Sequence, residues 1–128
     1  MIHKRILVPD RVRRPPCAGF SWVDRRFVRE FASKLSRDAI VLYFFLAAVS
    51  DKHGLSYYGD TSIAVRLRLS EKAVGAARSE LLAQDLVAYQ LPLTQVLSLP
   101  RAKPVQRGGL HALGDVLQQL GRDSLRKE

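Results

Sequence analysis

Two groups of side chains in this sequence can do chemistry, and both suit anion binding better than bond making. Arg11, Arg13 and Arg14 form a dense cationic run near the start. Arg66, Arg68, Ser70, Lys72, Gly75, Ala76, Arg78 and Ser79 form a second group, with Gln95 further along. Guanidinium and ammonium groups donate to phosphate oxygens, as planar forks or as point charges. Hydroxyl and amide groups add neutral hydrogen bonds. Gly75 permits close backbone approach, and the Ala76 methyl can touch a thymine methyl.

Motifs for catalysis or metal binding are missing. His3, His53 and His111 share no ligand-like spacing with each other or with Cys17, and each reads as a surface residue. HExxH, GxSxG and a phosphate-cradling glycine loop do not occur. Gly108-Gly109 ahead of a helix offers an anion site at a helix N-terminus, but a linker explains it more simply. Cys17 lies between Pro16 and Ala18 with no histidine near it in sequence, which argues against a nucleophile. As the single cysteine it permits no intrachain disulfide. A non-enzyme without cofactor or metal is the expectation.

Charge points to a polyanionic partner. The 128 residues carry a formal net charge of +9, which favours DNA, RNA or an anionic membrane surface. Residues 1–34 hold nine Lys/Arg against three acids, residues 35–100 six against six, and residues 101–128 six against three. The excess therefore lies in the two ends, and nonspecific attraction to nucleic acid is expected from the flanks. The longest apolar run, Ile40 to Val49, is about half of the roughly 20 residues a membrane span needs. Ile6-Leu7-Val8 is too short for a signal-peptide core. The proline-rich arm lacks the amphipathic helix of surface-bound proteins. A soluble, cytoplasmic, nucleoid-associated protein with no membrane partner is expected.

The elements that must hold these cations follow from periodicity and capping. Pro9, Pro15 and Pro16 exclude a long helix in residues 1–20, a basic arm in which Arg5 to Val8 can form a short strand. Ser21 is expected to cap a helix with Asp24 as its capping-box acid, with Trp22, Val23, Phe27, Val28 and Phe31 on one apolar face, Trp22 in the core, and Arg25, Arg26 and Arg29 on the other face. Ser36 caps a helix apolar almost all round, running to about Ser50 and ended by Asp51-Lys52-His53-Gly54. Leu55 to Tyr58 reads as a strand, with one of Tyr57 and Tyr58 facing the core and the outer one free to stack on a base. Asp60 or Thr61 caps a short helix, and Ser70 caps a third, in which Val74, Ala77 and Leu81 point inward. Leu86 to Leu91 and Thr94 to Leu99 make a hairpin.

Residues 21–100 thus form one domain, mainly α with a small antiparallel sheet, in the order of a winged helix-turn-helix. Residues 101–109 read as a linker. Residues 110–128 read as a C-terminal helix whose Leu110, Leu113, Leu117 and Leu120 form a heptad-like stripe. That helix can form a homodimer, pack back on the domain or fray, since Gly114 and Gly121 weaken it.

The stretch from Trp22 to about Leu91 resembles the winged helix-turn-helix domains of phage and plasmid replication initiators. The resemblance rests on "LSRDAIVLYFFLAAVSDKHG", "DTSIAVRLRLS" and "EKAVGAARSELLAQDLVAY". The opening "RILVPDRVRRPPCAGFSWVD" is similar to small proteins encoded beside bacterial transposition genes. These motifs are mostly core positions, so they speak to fold more than to activity. The resemblance implies double-stranded DNA as partner, a transcription, replication-initiation or transposition setting, and a larger replication or transposition protein beside it. One departure is Asp85, where the family pattern has Gly before the wing.

A second departure concerns base reading. At about 100° per residue, the stripe opposite Val74, Ala77 and Leu81 is Lys72, Ala76, Ser79 and Ala83, flanked by Gly75. Direct readers normally present Arg, Asn, Gln or Lys to base edges. Low intrinsic base specificity is expected, with Arg66, Arg68, Lys72 and the arm on phosphates and Arg78 reaching phosphate or covering core. The alternative is a protein–protein assembly module whose small-residue helix face packs on protein. RNA in place of DNA also satisfies the charge pattern.

Overall fold

The computed structural model describes residues 3–101. Its central element is helix α1 (Arg37–Val49). The Ser36 hydroxyl accepts from the Ala39 N–H at 3.2 Å, satisfying one of the free donors at the helix start. Ala39, Leu42, Tyr43, Leu46 and Ala47 are buried, while Val41 and Phe44 are exposed, so the apolar circumference is covered on most but not all sides. The helix ends into Asp51–Gly54. There the Asp51 carboxylate accepts from the N–H groups of His53 and Leu55. Gly54 has φ +83°, and a Cβ on it would meet the Val96 carbonyl oxygen at 2.5 Å. The turn therefore needs glycine twice over.

Strand β1 (Leu55–Ser56) is shorter than the expected run to Tyr58. Helices α2 (Asp60–Leu67) and α3 (Glu71–Ala83) follow, then β2 (Val87–Gln90) and β3 (Leu93–Val96). The three strands form an antiparallel sheet in the order β1-β3-β2. Gln90 pairs with Leu93, so Leu91-Pro92 is the whole hairpin loop. The chain is mainly helical with a small antiparallel sheet, the layout of a winged helix. Phe27, Leu42, Ile63, Val74, Leu81 and Leu86 are the large side chains most fully enclosed. Phe27 stacks on Tyr43 with centroids 4.0 Å apart and planes 5° from parallel, and burial raises the Tyr43 phenol pKa.

The N-terminal helix begins later than expected. Ser21 is not its cap. Asp24 is, since its carboxylate accepts from the Arg26 N–H at 2.8 Å, and a charged acceptor outcompetes a hydroxyl three residues earlier. The Ser21 hydroxyl instead donates to the Ala48 carbonyl at 3.1 Å. Trp22, expected in the core, is 75% exposed because it precedes the first turn, and Val28, expected on the apolar face, is 62% exposed because the wide turn that follows points only Phe27 and Phe31 inward. The segment continues as a wide π-helical turn (Phe27–Phe31) and a 3-10 turn (Ala32–Lys34), with Phe27 and Phe31 inward. The expected strand over Arg5 to Val8 is not formed; a 3-10 turn over Pro9–Arg11 follows instead. Neither Asp60 nor Thr61 caps α2. Gly59 holds the cap position without a side-chain bond, because the Asp60 carboxylate is taken by Arg78 and the Thr61 hydroxyl donates to Glu71. The leucine stripe of residues 110–120, nearly all of the 101–109 linker and the C-terminal helix lie outside the described residues.

Candidate nucleic-acid interface

Helix α3 is held by its inner face, and among the described residues its outer one is exposed. Val74, Ala77 and Leu81 are buried, whereas Lys72, Ala76, Ser79 and Ala83 are exposed and Gly75 is half-buried. The spacing of the inward residues on a 3.6-residue helix dictates this split. At its start, the Ser70 hydroxyl accepts from the Ala73 N–H at 3.0 Å. The Ser79 hydroxyl donates back to the Gly75 carbonyl at 3.1 Å, which leaves its lone pairs facing solvent.

The turn between α2 and α3 carries the cations. Arg68 ends α2 with φ +60° and ψ +44°, a left-handed conformation in the place where helices commonly put glycine. Its N–H and that of Leu69 both reach the Ala64 carbonyl. Arg66 leaves α2 with its guanidinium 5.4 Å from the Tyr58 ring centroid. Arg66, Arg68 and Lys72 are exposed and form no ion pair with any described residue. Tyr58 turns inward against Phe45, and Tyr57 outward.

Arg78 is placed differently. Its guanidinium is paired with the Asp60 carboxylate and lies 4.1 Å from the Tyr89 ring centroid. It ties α3 to α2 and to β2. Gln95 is exposed on β3, the central strand, away from the hairpin tip. Arg11, Arg13 and Arg14 are exposed, and their side chains make no hydrogen bond or ion pair with other described residues. The geometry thus gathers Arg68, Ser70, Lys72, Gly75, Ala76 and Ser79 along one helix and its entry turn. No ion pair among the described residues joins the arm to them.

Two features were missed in the sequence. The Asp60–Arg78–Tyr89 cluster joins three elements and had no local signal. The hairpin tip, Leu91-Pro92-Leu93, is apolar and open to solvent; the Leu-Pro-Leu run at the turn was its signal.

Glu80 secures the far side of α3. Its carboxylate accepts from the Ser36 hydroxyl and, at 2.8 Å, from the Ser36 N–H, and these bonds hold its pKa below the usual carboxylate range. The helix is thereby locked to the start of α1. Among the described residues no cluster of three or more His, Cys, Asp or Glu stands in metal-binding proximity, and no helix is long and apolar enough to cross a membrane. No protein-family model, no curated protein and no solved structure matches this chain, so the interface rests on its own geometry.

Proposed function

We propose that this domain binds double-stranded DNA through the outer face of α3, with low base specificity and no catalytic step of its own. The observation that carries the reading is the split of α3: an enclosed inner face, and an exposed outer face beside three cations, Arg66, Arg68 and Lys72, that form no ion pair with any described residue. Small side chains at Gly75, Ala76 and Ala83 let such a helix lie deep in a major groove, where phosphate contacts fix its position and few side chains report sequence. Arg11, Arg13 and Arg14 add charge from the arm. With the resemblance noted above, the reading extends to a nucleoid-associated protein of a bacterial mobile element, acting in regulation, replication initiation or transposition beside a larger protein.

The test is a gel-shift titration with salt, with and without unrelated competitor DNA. Each phosphate contact contributes a slope of about −0.9 in log K against log salt, so three or more contacts give a steep line, and competitor of any sequence displaces the probe. Binding flat with salt, or none to any duplex, overturns the reading. Single-stranded DNA and structured RNA as competitors decide the preferred polyanion.

A second reading, a protein-assembly module, is favoured by one observation. The wing tip presents Leu91, Pro92 and Leu93 to solvent with no cation among them, whereas a phosphate-binding wing would carry Lys or Arg.

A further inference from the structure

Among the described residues, helix α1 keeps one apolar stripe open. Val41, Phe44 and Ala48 stand at i, i+3 and i+7, which fall on one side of a helix, and all three are exposed. The N-terminal segment extends the stripe at its Ala48 end. There the Ser21 hydroxyl donates to the Ala48 carbonyl. Its neighbours Phe20 and Trp22 line a groove together with Ala48, and they are 67% and 75% exposed. The three rings, Val41 and Ala48 together present about 500 Å² of apolar surface, a patch of the size that marks contact sites.

We propose that a second copy of the chain covers this surface, with the two α1 helices antiparallel about a two-fold axis. Charge favours α1 as the place. The chain carries +9, so two copies repel except where cations are sparse, and α1 has one cation, Arg37, and one acid, Asp38, in its 13 residues. Shape fits as well. With the axis midway between residues 41 and 48, Val41 of each copy meets Ala48 of the other, a larger side chain over a small one, and Phe44 meets its counterpart near the axis. The ends of the stripe complement each other too. Arg37 lies one turn before Val41 and so reaches past Ala48 of the second copy, toward Trp22 and Asp51. A guanidinium can lie on an indole face and donate to a carboxylate. Asp51 is exposed and in no ion pair with any described residue, and the N–H groups of His53 and Leu55 hold its carboxylate in place. Lys52 and His53 beside it give the contact a polar rim. Two copies cover about 1,000 Å² in total, near the least that a specific interface needs, so the dimer is a weak and reversible one. The proposal uses none of the α3 residues and stands apart from the DNA reading.

Sedimentation equilibrium on the full chain tests it. The wild-type mass should climb from 14.4 kDa toward twice that value between about 1 µM and 1 mM. Ala48→Arg sets a cation against Val41 and Arg37 of the second copy and should weaken association roughly tenfold or more. Arg37→Glu should weaken it while the thermal transition is retained, because an acid suits the first turn of a helix. Val65→Arg, at a 73% exposed position of α2 away from the surface, should leave the mass curve unchanged. Trp22, the only tryptophan, should shift its emission to the blue as the mass rises. A mass of 14.4 kDa throughout overturns the proposal. So does a dimer that Ala48→Arg and Arg37→Glu leave intact, or one that Val65→Arg weakens as much as they do. If the two α1 variants stay dimeric and L113D/L117D does not, the leucine stripe holds the dimer and the proposal falls.

Discussion

The Arg78 guanidinium lies between the Asp60 carboxylate and the face of the Tyr89 ring, 4.1 Å from its centroid. One side chain therefore links α2, α3 and β2. Its side chain is 12% exposed and that of Asp60 33%, so screening by solvent is partial. Arg78→Ala is expected to cost about 1–2 kcal/mol in urea unfolding, the sum of a partly exposed pair and one cation–π contact. Arg78→Lys should recover little, since an ammonium cannot both fork onto the carboxylate and stack on the ring. Under conditions where the variant stays folded, the salt slope for DNA should be unchanged. A slope lowered by one contact would instead make Arg78 a phosphate ligand.

Arg68 and Asp85 share the same backbone anomaly, φ +60° on a residue with a side chain. The left-handed region costs about 1–2 kcal/mol outside glycine, and glycine returns about 0.5–1 of it as chain entropy. Arg68→Gly and Asp85→Gly should therefore each stabilise the fold by roughly 0.5–1 kcal/mol, read as a raised denaturation midpoint. Their effects on DNA should diverge. Arg68→Gly loses affinity and about 0.9 of the salt slope, while Asp85→Gly loses none. Equal affinities for the two variants would count against a phosphate role for Arg68.

Acid stability should report the Glu80–Ser36 bond. Two donors from Ser36 lower the Glu80 pKa from its ordinary value of 4.5, and the unfolded chain lacks both. A depressed carboxylate stabilises the fold above its unfolded pKa, and that contribution is lost as pH falls through the folded one. The wild-type thermal midpoint should thus fall more steeply below about pH 4.5 than that of Glu80→Gln. Glu30, lowered by Arg26, and Asp51, lowered by the N–H groups of Leu55 and His53, act with the same sign in both proteins. The difference between the curves isolates Glu80. Parallel curves would show that the bond contributes nothing to folding.

Where sequence and structure agree, local chemistry was sufficient. Ser36 and Ser70 each stand one residue before an apolar-periodic run, and both cap as read. Val74, Ala77 and Leu81 enclose one face of α3 at helical spacing. Asp85 stands where the pattern wants glycine, and it takes the left-handed conformation. Misreadings arose where two local signals competed or a partner was distant. Ser21 and Asp24 can both cap, and choosing the first moved Trp22 into the core. Asp60 looked like a cap because Arg78, 18 residues on, is invisible to local pattern. The cations of the 66–72 stretch were legible by type. Their freedom from ion pairs was not, because it depends on where Glu71, Asp60 and Glu80 turn.

Ala76→Arg separates the two readings of the α3 face. Ala76 is exposed at the middle of the outer stripe, so a long side chain there meets solvent and the domain should unfold at its usual temperature. On the DNA reading, the new guanidinium enters the groove with the helix. It adds a phosphate contact or a bidentate contact to guanine, worth about 1–3 kcal/mol of discrimination, so affinity rises and a sequence preference emerges where there was none. On the assembly reading, the same group lands in a packed contact between small residues, and desolvating an unpaired charge there breaks the complex. Gel shift and light scattering on one preparation read both outcomes. Tighter DNA binding with unchanged mass supports the groove, and lost association with unchanged DNA binding supports the assembly. If neither quantity moves, the outer face of α3 is not the working surface, and the apolar wing tip at Leu91 to Leu93 becomes the place to mutate next.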